Sequence, residues 1–323
     1  YDLHSHAVNE TADHHYSKYV IFQVMPLRPD QRRAIDEWQS CPLNINFRAS
    51  RYDIMHIVFI GYGKTSERVA QQLFTQHQIS SVSLSDKHDG LSTHYVQDVH
   101  SLDLSHLAPI DIAYVLLSPK QSSIEGYQHT YLDSVAPIVK ALKQHPIQRV
   151  IVLSSTRVYG EDQGQYIDDQ SVIKPNDRQG ELLYDMEQRW QAAYPNQCII
   201  VRPTGIYGTS VARMLKLAHS TLSYPKLHYS NRIHIDDLAR FLADLLHVKH
   251  PQKSYIVSNS QPVPLHKIIQ WFQQQLHLPE LVLDSDLLSG KRIYATHLHD
   301  MGFKLSHPDC FVDYANLLKQ PLE

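Results

Sequence analysis

The sequence has few cysteines and few glycines, and both shortages are informative. Only three cysteines occur among 323 residues, at Cys41, Cys198 and Cys310. An odd, scattered set forms no disulfide framework, so the sequence indicates a protein of the reduced cytoplasm. Only 11 residues are glycine, so a glycine that directly follows an apolar run is a useful marker of a turn.

Long apolar runs and a strong charge are also absent. No apolar run approaches the roughly 18 residues of a membrane span, and the first residues are polar and rich in histidine. We therefore expect neither a membrane protein nor a signal peptide. The formal net charge is -3, which gives no indication of a nucleic-acid partner. We expect a small-molecule substrate, and the sequence leaves the oligomeric state undetermined.

Residues 1–54 do not fit the pattern that follows them. They show no clear strand pattern, and Met55 stands immediately before the first strand. We interpret them as an appendage, or as upstream sequence translated in error, and expect poor order. The opening Asp2-Leu3-His4-Ser5-His6 resembles the metal-binding start of an amidohydrolase or histidinol-phosphatase domain. Such a domain needs further ligands on later strands, so we predict no metal site.

The stretch around Gly61 carries the first chemical signal. A β-branched, apolar run from His56 to Ile60 ends in glycine, and apolar residues then recur at helical spacing. This pattern predicts a strand, a tight turn and a helix. Free N–H groups at such a helix start can hold a pyrophosphate, helped by the helix dipole.

The turn itself resembles a degenerate G-x-G-x-x-G motif. Gly61 permits the turn, Gly63 lets the backbone approach the phosphates, and Lys64 opens the helix. Ser66 occupies the third glycine position and is small enough for close packing of helix on strand. An ordinary strand–helix turn is the alternative interpretation.

Beyond the turn, strands and helices alternate. Strands are expected at about 56–60, 80–85, 111–117 and 149–153, with one ending near 97–99, and helices at about 64–77 and 127–144. This order predicts an α/β fold, a Rossmann-type doubly wound parallel sheet with right-handed crossovers. Ligands bind at the carboxyl ends of such strands. Small or polar residues stand at those ends, namely Gly61, Asp86, Asp98, Ser118 and Ser155.

The residues after the second strand bear on the choice of cofactor. An acidic residue about 20 positions after the glycine turn accepts hydrogen bonds from the ribose of NAD, whereas a basic one favours NADP. Asp86 and Lys87 stand side by side here, so the sequence predicts NAD or NADP without deciding between them. A solvated surface pair is the alternative for Lys87.

Five segments in order resemble the extended short-chain dehydrogenases/reductases, the NAD-dependent epimerase/dehydratase family. They are Leu153–Gly160 ("SSxxVYG"), Gln97-Asp98-Val99, Val201–Gly208 ("RxxGIYG"), Asn231–Ala239 ("RIHVDDLA") and Tyr255–Pro264. The resemblance covers about 55–320. It implies cofactor contacts from Asp98 and Pro203, and a smaller C-terminal lobe, about 205–225 and 254–323, that closes over the nicotinamide end.

The resemblance also implies a hydroxyl that holds the substrate oxygen. Ser155, four residues before Tyr159, matches that position. Thr156 stands where sugar dehydratases have an acidic residue, which argues against dehydration. Packing is the expected role of Tyr159, and a local hydrogen bond that of His234.

The family's Tyr-x-x-x-Lys pair has no counterpart here. If Glu187 matches the glutamate that follows the pair, then Leu183 replaces the lysine and Gln179 the tyrosine. Tyr184 is the nearest phenol, but on a helix it points about 100° away, and a surface or domain contact is its alternative role. Arg178 is a candidate for binding an anionic substrate.

Two functions therefore remain open. The first is an atypical NAD(P)-dependent oxidoreductase or epimerase that acts on a small or sugar-like substrate through Ser155, assisted by Arg178 or Tyr184. The second is a non-catalytic NAD(P)-binding protein with a redox-sensing or regulatory role.

Overall fold

The computed structural model describes residues 54–319. The hypotheses on residues 1–54, including the absence of a metal site at Asp2-Leu3-His4-Ser5-His6, lie outside the described residues, as does Cys41. No helix of the described part is both long and apolar enough to cross a membrane.

Fifteen strands are present in the described range. They are β1 (His56–Ile60), β2 (Gln78–Ser83), β3 (Thr93–Val96), β4 (Ile112–Val115), β5 (Arg149–Leu153), β6 (Gln165–Ile167), β7 (Cys198–Pro203), β8 (Gly205–Tyr207), β9 (Ser223–Tyr224), β10 (Leu227–Ser230), β11 (Arg232–His234), β12 (Ser254–Val257), β13 (Val263–Pro264), β14 (Val282–Leu283) and β15 (Leu288–Ile293).

The helices of the same range alternate with these strands. They are α1 (Lys64–Leu73), α2 (Ile124–Tyr127), α3 (Val135–Leu142), α4 (Arg178–Ala193), α5 (Ala212–Ser220), α6 (Ile235–Asp244), α7 (Leu265–Gln275), α8 (Thr296–Asp300) and α9 (Cys310–Leu318). Short 3-10 turns follow β3, β5 and α6, and a π turn, Gln128–Leu132, follows α2.

Seven parallel strands form the central sheet, in the order β12-β7-β5-β4-β1-β2-β3. This confirms the Rossmann-type doubly wound fold. The centre is apolar because β1 is buried on both faces, with Ile57 through Ile60 at 0% exposure. Phe59 stacks on Tyr114 of β4 with ring centroids 4.9 Å apart. Burial of each such side chain stabilises the fold by about 1.5–3 kcal/mol.

Strand β2 shows why its boundaries were hard to predict. We expected about 80–85, but the strand runs from Gln78 to Ser83, and α1 ends at Leu73 rather than near 77. Ser80 and Ser81 are fully buried, which hides the apolar signal of a core strand. Their hydroxyls are hydrogen-bonded, Ser80 to His56 at 2.9 Å and Ser81 to His94 at 2.7 Å, so their burial is tolerated.

The helix predicted over 127–144 is broken. Helix α2 passes into the π turn, where the Asp133 N–H donates to the Gln128 carbonyl five residues back, and α3 begins afresh at Val135. Pro137 lies in the first turn of α3. A proline is tolerated there because its missing N–H would have no partner within the helix.

A smaller lobe packs around a second core. Its mixed sheet has the order β13-β10-β15-β6, and its core joins residues of α5, α7 and α9, among them Met214, Phe272 and Tyr314. We expected 254–257 in this lobe. These residues instead form β12, the edge strand of the central sheet, paired in register with β7. The apolar strand pattern alone does not say which sheet a strand joins.

The start of α6 is capped by a side chain. His234 caps the helix, since its Nδ1 accepts from the Asp236 N–H at 3.2 Å. This confirms a local hydrogen bond for His234. Asp237 is fully buried and accepts from the backbone N–H groups of Ser306 and His307. It therefore ties α6 to the C-terminal segment.

Candidate functional site

The two glycines of the turn after β1 have different structural roles. Gly61 has a φ of +89°, and a Cβ built on it would lie 2.5 Å from the Leu116 carbonyl oxygen. Only glycine fits there without moving β4. Gly63 has extended backbone, and a Cβ built on it would meet nothing within 4 Å. The space in front of Gly63 is therefore open to a ligand.

The start of α1 faces that space. Gly63 precedes the helix and offers no side-chain cap, and the Gly63 carbonyl accepts from the Glu67 N–H at 2.9 Å. The N–H groups of the first helical residues have no intrahelical partner. Ser66 is buried, and its hydroxyl donates to the Gly61 carbonyl at 2.7 Å, so it packs the helix onto the turn. An anion such as a pyrophosphate fits this helix start.

A cleft of about 410 Å³ opens from this turn across the carboxyl ends of β4, β5 and β7. Its walls are formed by Gly63, Lys64, Thr65, Ser66, Leu116, Leu117, Ser118, Tyr127, Tyr131, Leu153, Ser154, Ser155, Leu183, Pro203, Thr204 and Ile206. Five of the predicted cofactor residues are among them, namely Gly63, Lys64, Ser66, Ser118 and Pro203. The cleft volume suits a small-molecule ligand.

Two serines, Ser154 and Ser155, follow β5 directly and line the cleft. The Ser155 oxygen accepts from the Arg157 N–H at 3.2 Å, which fixes the side chain while its own hydroxyl proton stays available for a ligand. The Ser154 oxygen is buried and has no hydrogen-bond partner in the described structure. A buried hydroxyl without a partner is costly, and a polar group of a bound ligand would supply one.

No protein-family model matches the chain. Protein YeeZ of Escherichia coli K12 is 27% identical over 216 residues, which cover 65% of this chain and 76% of YeeZ. A Methylobacillus flagellatus structure, described as an NAD-dependent epimerase/dehydratase, is 25% identical with a TM-score of 0.68 and covers 82% of this chain and 98% of its own.

The chain shares the fold of the NAD-dependent epimerase/dehydratase family. The human epimerase family protein SDR39U1, solved with NADPH, agrees in fold with a TM-score of 0.65 at 17% identity, covering 82% of this chain and 100% of its own.

The resemblance to the epimerase/dehydratase family predicts that the positions of its tyrosine and lysine lie on helix α4. Glu187 is fully buried and binds Arg202 through both carboxylate oxygens, at 3.0 and 2.7 Å. Four residues earlier, Leu183 is 1% exposed and lines the cleft. Gln179 donates to the Ser122 carbonyl at 3.1 Å. The position that would hold the family's lysine is thus apolar.

Tyr184 and Arg178 lie outside the residues that form the cleft walls. Tyr184 is half-buried and packs against the main core. Arg178 is about half exposed, and its Nη1 forms an ion pair with Glu181 at 3.0 Å. Ser155 is the member of the predicted catalytic set that the cleft walls include.

The predicted adenosine-side residues form their own local contacts. Asp86 pairs with His88 at 2.9 Å, and Lys87 with Glu67 at 3.3 Å. Asp98 accepts from the His100 N–H at 3.0 Å and so starts a 3-10 turn. All three lie outside the cleft walls, and neither exposed pair favours NAD over NADP.

The sequence did not predict five polar residues of the cleft walls, Thr65, Tyr127, Tyr131, Ser154 and Thr204. The two tyrosines are four positions apart just after the end of β4, and that spacing was a usable signal. The predicted packing role of Tyr159 is confirmed: it is fully buried, and its oxygen accepts from Arg202 Nη1 at 3.0 Å. Burial raises the pKa of the Tyr159 phenol, although Arg202 opposes this.

His234, Asp236 and His307 lie close enough to suggest a metal centre within the described residues. The two imidazole rings, however, are stacked, with centroids 3.6 Å apart and planes 13° apart. An ion bound by an imidazole nitrogen lies near the plane of the ring, and two nearly parallel planes do not meet at one ion. Asp236 is also held by Arg68 at 2.7 Å. The grouping fits a stacked, hydrogen-bonded contact better than a metal site.

Proposed function

We propose that the chain is an NAD(P)-dependent oxidoreductase or epimerase that acts on a small or sugar-like substrate. The observation that carries this proposal is the single cleft that joins an open helix start to the hydroxyl of Ser155. The helix start suits the pyrophosphate of a dinucleotide, and Ser155 suits a substrate oxygen. Similarity in fold to structures solved with NAD or NADPH supports the cofactor class.

The roles of the chain's own residues follow from their positions. The free N–H groups at Lys64, Thr65 and Ser66 would hold the pyrophosphate. Ser155 would donate a hydrogen bond to the substrate oxygen, with the Arg157 N–H keeping the serine in place. The bound dinucleotide supplies hydride chemistry. We keep both NAD and NADP, because the exposed Asp86 and Lys87 pairs select neither.

A second candidate is a non-catalytic NAD(P)-binding protein with a redox-sensing or regulatory role. The apolar side chain of Leu183, at the position that resembles the family's lysine, favours this alternative. The hydroxyl of Ser155 on the cleft wall favours the enzyme. We also keep the cytoplasm as the proposed compartment, because Cys198 and Cys310 are both free and buried.

The decisive experiment is a fluorescence titration with NADPH and NADH. The wild-type chain should bind one of them, whereas Gly63→Asp should bind at least about tenfold more weakly, because its carboxylate would occupy and repel the phosphate position. Gly63→Ala is the uncharged comparison: its methyl group meets no protein atom within 4 Å, so it should fold like wild type, and it should lose less affinity than Gly63→Asp because it adds bulk but no charge. Equal affinities for Gly63→Asp and wild type would remove the proposal.

A substrate screen then separates the two candidates. Candidate nucleotide sugars and small carbonyl compounds would be added with the cofactor while the nicotinamide absorbance is followed. Turnover of any of them identifies an enzyme. Cofactor binding without turnover across the panel would favour the regulatory role.

A further inference from the structure

Two phenols of the cleft have no role in the proposed function so far. Tyr127 ends α2, and Tyr131 lies one turn later in the π turn, with the two ring centroids 5.2 Å apart. Both belong to the walls of the cleft that contains Ser155. Helix α4 has Gln179 and Leu183 at the positions that the resemblance assigns to the family's pair. The titratable side chains left in the cleft walls are these two phenols and Lys64, which opens α1 at the proposed pyrophosphate site.

The surroundings distinguish the two tyrosines. Burial, with a further contribution from Tyr127, raises the pKa of the Tyr131 phenol far above its ordinary value. A phenol that resists ionisation is a poor group for exchanging protons. Both side chains are half-buried, but a fixed cation lies beside Tyr127.

That cation is Arg157. Its guanidinium carbon lies 5.9 Å from the centroid of the Tyr127 ring, and its Nε donates to both oxygens of Asp177 at 3.0 Å. Burial acts to lower the pKa of Arg157, but Asp177, together with Tyr127, outweighs it and raises the pKa. The guanidinium is therefore always charged, and Asp177 sets its position.

Arg157 also connects the phenol to the serine. Its backbone N–H donates to the Ser155 oxygen, while its side chain lies beside Tyr127. Arg157 thus positions the Ser155 hydroxyl and also places a positive charge near the Tyr127 phenol. Asp177 caps α4 through the Gly180 N–H at 2.7 Å, which anchors the arrangement to the helix. Lys291 is the further charged group that interacts with both Asp177 and Arg157.

We propose that Tyr127 is the proton-exchanging residue of this cleft and that Arg157 is the positioning residue that stabilises its phenolate. This rests on the proposed oxidoreductase function. When a substrate carbonyl carbon accepts a hydride from the reduced dinucleotide of the proposed function, the O–H bond of Tyr127 breaks and a new O–H bond forms on the substrate oxygen. The phenolate then recovers a proton from solvent. When a substrate alcohol is oxidised, its hydride passes to the oxidised dinucleotide and its hydroxyl proton passes to the Tyr127 phenolate.

The first test uses paired variants of the full chain. Tyr127→Phe should bind NADPH within about twofold of wild type but lower turnover by about 10²-fold or more, the scale of a positioned proton-transfer group. Tyr131→Phe is the matched control in the same cleft and should keep most of the turnover. Unchanged turnover in Tyr127→Phe would overturn the assignment. Failure of the wild-type chain to bind either NADPH or NADH would instead refute the proposed function.

The second test needs no substrate. Tyrosine labelled with ¹³C at Cζ gives an NMR signal that reports phenol ionisation, and the signal missing from Tyr127→Phe identifies Tyr127. Arg157→Gln should move the midpoint of that ionisation upwards by about half a pH unit or more, because a unit positive charge about 6 Å from the ring is lost while the negative charge of Asp177 remains. The Tyr131 signal is the internal control. An unmoved Tyr127 midpoint would show that Arg157 has only a structural role, and would overturn the proposed pair.

Discussion

The strand ends carry four of the hydroxyl groups of the cleft. These belong to Ser118, Ser154, Ser155 and Thr204, which lie next to apolar side chains of the same strand ends. The Ser155 oxygen accepts one backbone hydrogen bond and keeps its proton for a ligand. Removal of the single Ser155 side-chain oxygen should therefore affect the chemical step without affecting cofactor binding.

We predict that Ser155→Ala lowers turnover by about 10²-fold or more, because the substrate oxygen loses its hydrogen-bond donor. Affinity for NADPH should barely change, since the helix start at Gly63 is untouched. Turnover and fluorescence titration of the same preparation give both quantities.

Tyr184→Phe and Arg178→Gln are the controls for that experiment. Tyr184 packs on the core and Arg178 pairs with Glu181 at the surface, so both variants should be nearly silent. A strong effect of Tyr184→Phe beside a weak effect of Ser155→Ala would reverse the assignment.

Helix α4 connects several parts of the site. Asp177 caps its first turn and holds Arg157, Leu183 faces the cleft, and Glu187 is buried against Arg202. Removal of one partner of a buried ion pair such as Glu187 and Arg202 typically costs about 3–5 kcal/mol, because the other charge is left without compensation. Charges therefore fix the helix at its N-terminal cap and again just past its middle.

The N-terminal end of α4 should make stability depend on pH. Burial acts to raise the pKa of Asp177, but hydrogen bonds from Arg157 and from the Gly180 N–H outweigh it and lower the pKa. A lowered carboxylate pKa stabilises the folded state above the unfolded value of about 3.9, and this contribution is lost as the pH falls through the folded value.

Asp177→Asn keeps a good helix cap but removes the charge. We expect its free energy of unfolding at pH 7 to be lower than that of wild type by up to about 1 kcal/mol, a small value because the pair with Arg157 is about 40% exposed. Urea unfolding at several pH values should show the two curves converging as the pH falls below about 3.9. A difference that stays constant from neutral to acid pH would contradict this account.

The whole described fold follows the alternation visible in the sequence, and the bounds of β1 and β5 were predicted without error. Long β-branched runs that are buried on both faces leave little ambiguity. The sequence did not predict which sheet β12 joins, which is the central sheet rather than that of the lobe. It also did not predict that a new helix, with Pro137 in its first turn, begins after the π turn. Tyr127 was not predicted as a site residue because its proposed role in proton exchange depends on Arg157, which lies 30 positions later along the chain.

One prediction concerns the chain as a whole. Strand β1 begins at His56, and its neighbours in the sheet are β2 and β4, both later in the chain. We therefore expect a chain that starts at Met55 to fold and to bind NADPH with the affinity of the full chain. Thermal unfolding and fluorescence titration of both chains would check this. A large fall in melting temperature would show that residues 1–54 contribute to the stability of the core.

The two glycines after β1 affect different properties of the protein. Gly61 affects the yield of soluble protein, whereas Gly63 affects ligand binding. Any side chain at position 61 collides with the Leu116 carbonyl and pushes apart the two middle strands of the sheet, whereas position 63 has room. In a library that varies both positions, substitutions at Gly61 would deplete the amount of soluble protein in cells. Charged substitutions at Gly63 would leave the amount of soluble protein unchanged and would lower only the fraction that an immobilised nucleotide retains. The two glycines of this motif would therefore be selected independently of each other.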